Sequence, residues 1–198
     1  MTELNKIFKH LSRDLYIYFL TGFIFSINFL YLDYLFNCAN TIHYVLTIPY
    51  WIVGFIILSF TNGHIIFSIM YFVFECSNFE SCIKKKFFKT ESMTDKTTAF
   101  KIDYKKEITI FSNKIDLHEQ FIERHTQLYL MRWNMSAALI FSGFLNIFYE
   151  IYYEFSISLT TLSILLILIG FIVYILSLTT EKDCFDRINT IESTIEKK

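Results

Sequence analysis

The residue best placed to do chemistry is His64, which with Asn62 and Gly63 forms the most polar tripeptide inside an otherwise apolar run covering residues 45–74. An imidazole gains and loses a proton near neutral pH, and an ionisable group at membrane depth marks a functional position by default. Thr21, Asn134, Ser136 and Tyr174 fall at similar heights in the other apolar runs. Together with Asn62 and His64 they make a candidate intramembrane polar site. The competing reading of His64 is structural, a neutral imidazole hydrogen-bonded to a neighbouring helix.

Other chemistry-bearing residues do not assemble into motifs. His118, Glu119, Glu123 and His125 suggest a metal centre, yet histidines seven positions apart lie roughly 10 Å apart along a helix, too far to share one ion. The zinc-protease pattern needs two histidines four apart with Glu after the first, and this sequence departs from it. Cys76, Cys82 and Cys184 have no diagnostic metal spacing, and with Cys38 they do not form the dense set of a disulfide-stapled secreted domain. All five glycines lie within apolar runs. That removes phosphate-cradling loops, which need bare backbone clustered around the anion. No catalytic residue, cofactor or metal is therefore expected, and an enzyme would have to build its site around His64 from separate helices.

The elements that carry these residues follow from hydropathy. Residues 15–36, 45–74, 133–152 and 157–178 are apolar. Each is long enough for the ~20 residues needed to cross a bilayer. A cleaved secretory signal is the rival reading of the first run, but the run is too long and no small-residue cleavage site follows it. Every one of the 18 Lys and Arg residues lies before the first run, between the second and third, or after the fourth. The positive-inside rule then puts both termini in the cytosol, and richness in Phe, Ile, Lys, Asn and Tyr makes a bacterial inner membrane the expected location. The expected fold is an all-α integral membrane protein, an antiparallel four-helix transmembrane bundle with a small, mostly helical cytosolic subdomain. Residues 1–14 read as an amphipathic cytosolic segment, 15–74 as one transmembrane hairpin, 75–131 as the cytosolic middle, 132–179 as the second hairpin and 180–198 as a helical tail.

Within each span, polar and small residues recur at spacings of three and four, which places each set on one helix face. The sets are Asp14, Tyr18, Thr21 and Asn28; Thr61, His64, Ser68, Tyr71 and Glu75; Arg132, Ser136, Gly143, Asn146 and Glu150; and Thr160, Ser163, Gly170, Tyr174, Ser177 and Glu181. Lipid solvates such groups poorly, so all four faces are expected to point inward or towards a neighbouring subunit. Arg132 is expected to pair with Asp14 or Glu75.

In the middle segment, Ile108, Phe111, Ile115, Ile122 and Tyr129 follow a seven-residue repeat over a helix expected at 107–131, with a short strand over 101–111 as an alternative. The tail repeats Cys184, Ile188, Ile191 and Ile195 with the same period. Ile115, Ile122, Ile188, Ile191 and Ile195 are candidate partner-binding residues, on this chain or another. Lys84, Lys85 and Lys86, just inside the second span, are placed to meet anionic lipid headgroups. Nucleic acid is the less favoured partner for them.

The function expected is a non-catalytic oligomeric membrane sensor or anchor whose cytosolic face binds and regulates a soluble protein. A pore-forming or membrane-depolarising effector is the alternative, and an intramembrane enzyme using His64 is a third. The size and span count are those of membrane components of bacterial antiviral defence, an analogy of architecture alone.

Overall fold

The computed structural model describes residues 15–36, 43, 47–76, 79–88, 104–153 and 155–196. All regular secondary structure among them is helical. A π-helical turn, Leu15–Phe19, leads into α1 (Leu20–Phe36). Then come α2 (Trp51–Cys76), α3 (Phe79–Phe87) and α4 (Tyr104–Asn113). The short α5 (Ile115–Leu117) passes through a π-helical stretch, His118–Glu123, into α6 (Arg124–Tyr152). The last helix is α7 (Ile157–Glu196). Four helices are long and apolar enough to cross a membrane. The expected amphipathic segment 1–14 lies outside the described residues.

Local chemistry explains where the elements begin and break. The second span was expected from residue 45, but α2 starts at Trp51, because Pro49 disfavours helical backbone at Ile48 and offers no N–H. Tyr50 completes that turn with φ 64°, a left-handed conformation uncommon for a residue with a Cβ. Its carbonyl accepts the N–H of Val53 at 2.9 Å. The strand alternative over 101–111 gives way to helix α4. There Ile110 is buried while the Thr109 hydroxyl donates to the Lys105 carbonyl at 2.9 Å. The expected continuous helix over 107–131 is broken at Lys114, whose φ of −147° and ψ of 64° are not helical.

The chain divides into two compact units, Met1–Met70 with Met131–Tyr174 and Tyr71–Leu130 with Ile175–Lys198. The first is the apolar unit. In it α1 and α2 meet backbone to backbone through small residues: a Cβ on Gly22 would collide with the Ser59 carbonyl, and one on Gly63 with the Tyr18 carbonyl. Gly22-x-x-x-Ser26 on α1 and Ser59-x-x-x-Gly63 on α2 form the small-residue faces that let membrane helices approach closely. Gly143 and Gly170 do the same between α6 and α7, against Ser163 and Ile167 and against Ser136 and Ile140. Side-chain contacts to α6 tie the pairs together. Asn28 of α1 donates to the Asn146 side-chain oxygen at 2.8 Å, and the rings of Phe67 and Trp133 pack edge-on at 5.5 Å.

The second, more polar unit has its own core. Ile110, Ile122, Cys184 and Ile188 are buried together, with Ile191 packed against them. The tail thus covers the middle segment of its own chain. Beside that core Lys84 sits between two carboxylates, 2.6 Å from Glu80 and 2.7 Å from Glu181. Lys106 pairs with Glu192 at 2.5 Å, and His118 meets Glu107 at 3.0 Å.

Candidate functional site

The expected inward polar faces hold for α6 and α7. Ser136, Gly143, Asn146 and Glu150 are buried on α6, as are Ser163, Gly170, Tyr174, Ser177 and Glu181 on α7, with Thr160 half-buried. Their hydrogen bonds explain how they tolerate burial. Thr160 donates to the Glu150 carboxylate at 2.8 Å, and Ser163 returns its hydroxyl to the Leu159 carbonyl at 2.7 Å. On α1, Thr21 is buried with its hydroxyl on the Ile17 carbonyl at 2.7 Å, and Asn28 is half-buried. Asp33, which the sequence reading passed over, is 2% exposed although it lies in an apolar helix.

The face expected for α2 is reversed. Thr61, His64, Ser68 and Tyr71 are exposed, and the inward positions are Ser59, Gly63, Ile66 and Met70. The physical reason is backbone proximity: Gly63 must face Tyr18, and its neighbour His64 is then turned about 100° away. Polarity does not resist this arrangement, because Thr61 and Ser68 return their hydroxyls to the carbonyls of Ile57 and His64, both at 2.9 Å. The Glu75 side chain and Asp14 fall outside the described residues, and so do the expected pairs with Arg132.

Among the described residues no hydrogen bond joins the His64 ring to Thr21, Asn134, Ser136 or Tyr174. Around His64 the described neighbours are aromatic, Tyr18 stacked at 3.8 Å and Phe60 edge-on at 4.6 Å. Asn62 is half-buried and donates to the Ser26 hydroxyl at 2.9 Å, fixing α2 against α1. Ser136 donates to the Trp133 carbonyl at 2.6 Å. Asn134 is fully buried, with neither amide atom hydrogen-bonded among the described residues, and Tyr174 is buried as well. Among the described residues, no three His, Cys, Asp or Glu side chains are arranged to hold a metal ion.

In the polar unit the heptad stripe divides. Ile122 and Ile188 go inside and hold the tail, Ile191 is half-buried, and the side chain of Ile195 is outside the description. Ile108, Phe111 and Ile115 stay outside at 66, 49 and 46% exposure. Beside them Leu117, Phe121 and Ile191 line a groove of about 540 Å³ rimmed by Asp183, Asp186 and Arg187. Lys84 is committed to Glu80 and Glu181 rather than turned outward, Lys86 is exposed, and the side chain of Lys85 is outside the description.

Cys184, beyond the apolar stretch of α7, gives a probe of this core. Burial pushes its thiol above the ordinary range, outweighing the Thr126 hydroxyl 3.6 Å away, which lowers it. Because the thiolate is the reactive form, Cys184 is expected to alkylate far more slowly than exposed Cys82 at pH 8. The raised value also carries a stability sign. The folded unit holds this proton more tightly than the unfolded chain, so that contribution is complete below the ordinary thiol pKa of about 8.5 and is lost as pH rises through the folded value. Mass spectrometry of alkylated peptides across pH 7–10 would check both; equal labelling of the two thiols would contradict the burial.

No protein-family model matches the chain, and neither curated proteins nor solved structures give a match.

Proposed function

We propose that the protein is a non-catalytic membrane anchor or sensor that holds a soluble protein at the cytosolic face of the membrane. In this reading the spans form an antiparallel four-helix bundle, with residues 75–131 and 180–198 in the cytosol. The one-sided distribution of all 18 basic residues supports that orientation. Antiparallel pairing of the last two spans is supported by the way Gly143 meets Ser163 while Gly170 meets Ser136.

The observation that carries the functional reading is the exposed stripe of Ile108, Phe111 and Ile115. Ile108 and Phe111 lie three apart on one face of α4, and Ile115 opens α5 just past the break at Lys114; the tail that covers the neighbouring core leaves all three exposed. Large apolar side chains left exposed close together in sequence outside the apolar spans support a protein interaction surface. A partner groove would bury the i, i+3 pair of Ile108 and Phe111 as helix anchors, with Ile115 beside them across the break.

A photocrosslinking residue placed at Phe111 or Ile115 in intact cells is expected to capture one soluble protein. Asp at Ile108 and Ile115 is expected to weaken that association at least about 30-fold, the loss typical of a hot-spot residue. Ile122 and Ile188 remain buried in that variant, so Cys184 stays protected. Adducts to a second copy alone, or none, would overturn the reading.

A further inference from the structure

We infer that α2 is a homotypic interface within the membrane, and that its outward polar face, centred on His64, packs against the same face of a second copy of this chain. Ile57, Thr61, His64, Ser68 and Tyr71 recur at helical spacing and are all exposed. They lie within Trp51–Val73, one of the four apolar segments long enough to cross a membrane. The inference rests on the membrane reading of α2 and is independent of the soluble partner.

His64 decides what covers this face. The flat side of its imidazole is stacked on Tyr18 at 3.8 Å, and the edge of Phe60 closes in at 4.6 Å, so the ring is held in place by aromatic contacts. Those contacts use carbon. The two ring nitrogens take no hydrogen bond among the described residues. A neutral imidazole carries one N–H donor and one acceptor nitrogen. Lipid tails offer neither, and polar side chains within membrane spans almost always face protein or water.

A second copy supplies what lipid cannot. Under two-fold symmetry a face meets itself, so each group needs a complement on the same surface. His64 has that property, since the N–H of one ring can donate to the acceptor nitrogen of the other. Thr61 and Ser68 favour close approach for a different reason. Their hydroxyls are already bonded to the Ile57 and His64 carbonyls, so they present small surfaces with satisfied donors.

The test uses the full chain in native membranes, with single cysteines introduced in place of Ile57, Thr61, His64, Ser68 and Tyr71 and with the four natural cysteines replaced by serine or alanine. Oxidation is expected to give disulfide-linked dimers at positions 61, 64 and 68. Cysteine at Ile66, buried on the opposite side of α2, and at Ile172, exposed on α7, should give none. Fluorescence energy transfer between labelled copies diluted in lipid vesicles measures the affinity. His64→Leu is expected to weaken pairing roughly three- to twenty-fold, the range of a buried hydrogen bond between membrane helices. His64→Asn, which keeps a donor and an acceptor, should restore most of it. Crosslinking without this periodicity, or His64→Leu pairing as the unmodified chain does, would overturn the inference. Release of the protein from membranes by alkaline carbonate would overturn the membrane reading itself; retention without crosslinks would overturn only the interface.

Discussion

Lys84→Ala is expected to destabilise the polar unit by about 3–5 kcal/mol, the cost of breaking a buried ion pair by removing one partner. The Lys84 side chain is 5% exposed and that of Glu181 8%. The ammonium lies 2.8 and 2.7 Å from the two oxygens of Glu181 and 2.6 Å from Glu80. Glu80 is 22% exposed and can turn its carboxylate to water when the lysine is lost. Glu181 cannot, and keeps a charge among buried neighbours. The paired variant Lys84→Met with Glu181→Leu removes both charges together and is expected to recover most of the loss, because apolar residues of similar volume replace buried ion pairs at little cost. Cys184 alkylation reports the result. Local opening is expected to become roughly two to four orders of magnitude more frequent in the single variant and to return towards the original rate in the double. Equal protection in all three proteins would show that the pair contributes nothing to the unit.

That ion pair also shows what could be read from the sequence. Lys84 precedes Lys85 and Lys86 beside a membrane span, and by position all three belong at the headgroups. Glu80 is a local i, i+4 partner, but the buried carboxylate, Glu181, is 97 residues away, so no local pattern marks the lysine as buried. The spans themselves were legible, since their length and apolarity are properties of each segment alone. The inward faces of α6 and α7 were legible too, because there the small and polar residues coincide. On α2 they diverge: the small residues Ser59 and Gly63 and the polar residues Thr61, His64 and Ser68 lie on different faces. Backbone proximity decides between them, since a hydroxyl can return to its own helix whereas a collision with a carbonyl has no local remedy. The apolar stripe of the middle segment was half legible for a similar reason. Its period was evident, but only the fold separates Ile122, which holds the tail, from Ile115, which stays exposed.

The contest between local propensity and helix contact yields a prediction in which even the sign is informative. Gly→Ala inside a helix ordinarily gains up to about 1 kcal/mol, because alanine has less backbone freedom to lose. Gly54 should follow that rule: a Cβ there meets nothing within 4 Å, since the position borders an open apolar cleft with Phe29, Leu30 and Leu58. Gly22→Ala and Gly63→Ala should do the opposite. Each new methyl would be driven into a backbone carbonyl of the facing segment, Ser59 in one case and Tyr18 in the other. Backbone cannot rotate aside as a side chain can, so α1 and α2 must separate along their contact. Separation also stretches the Asn62 to Ser26 hydrogen bond and the Tyr18 to His64 stack. The expected loss is about 3 kcal/mol for each, the upper end for overpacking, and Leu should be worse than Ala at both sites. Unfolding in detergent, followed by the separation of labels on α1 and α2, gives the comparison. If Gly22→Ala and Gly63→Ala stabilise the protein as Gly54→Ala does, the two helices do not meet through their backbones. The exposure of His64 then loses its cause, since it is the contact at Gly63 that sets which face of α2 meets the first span.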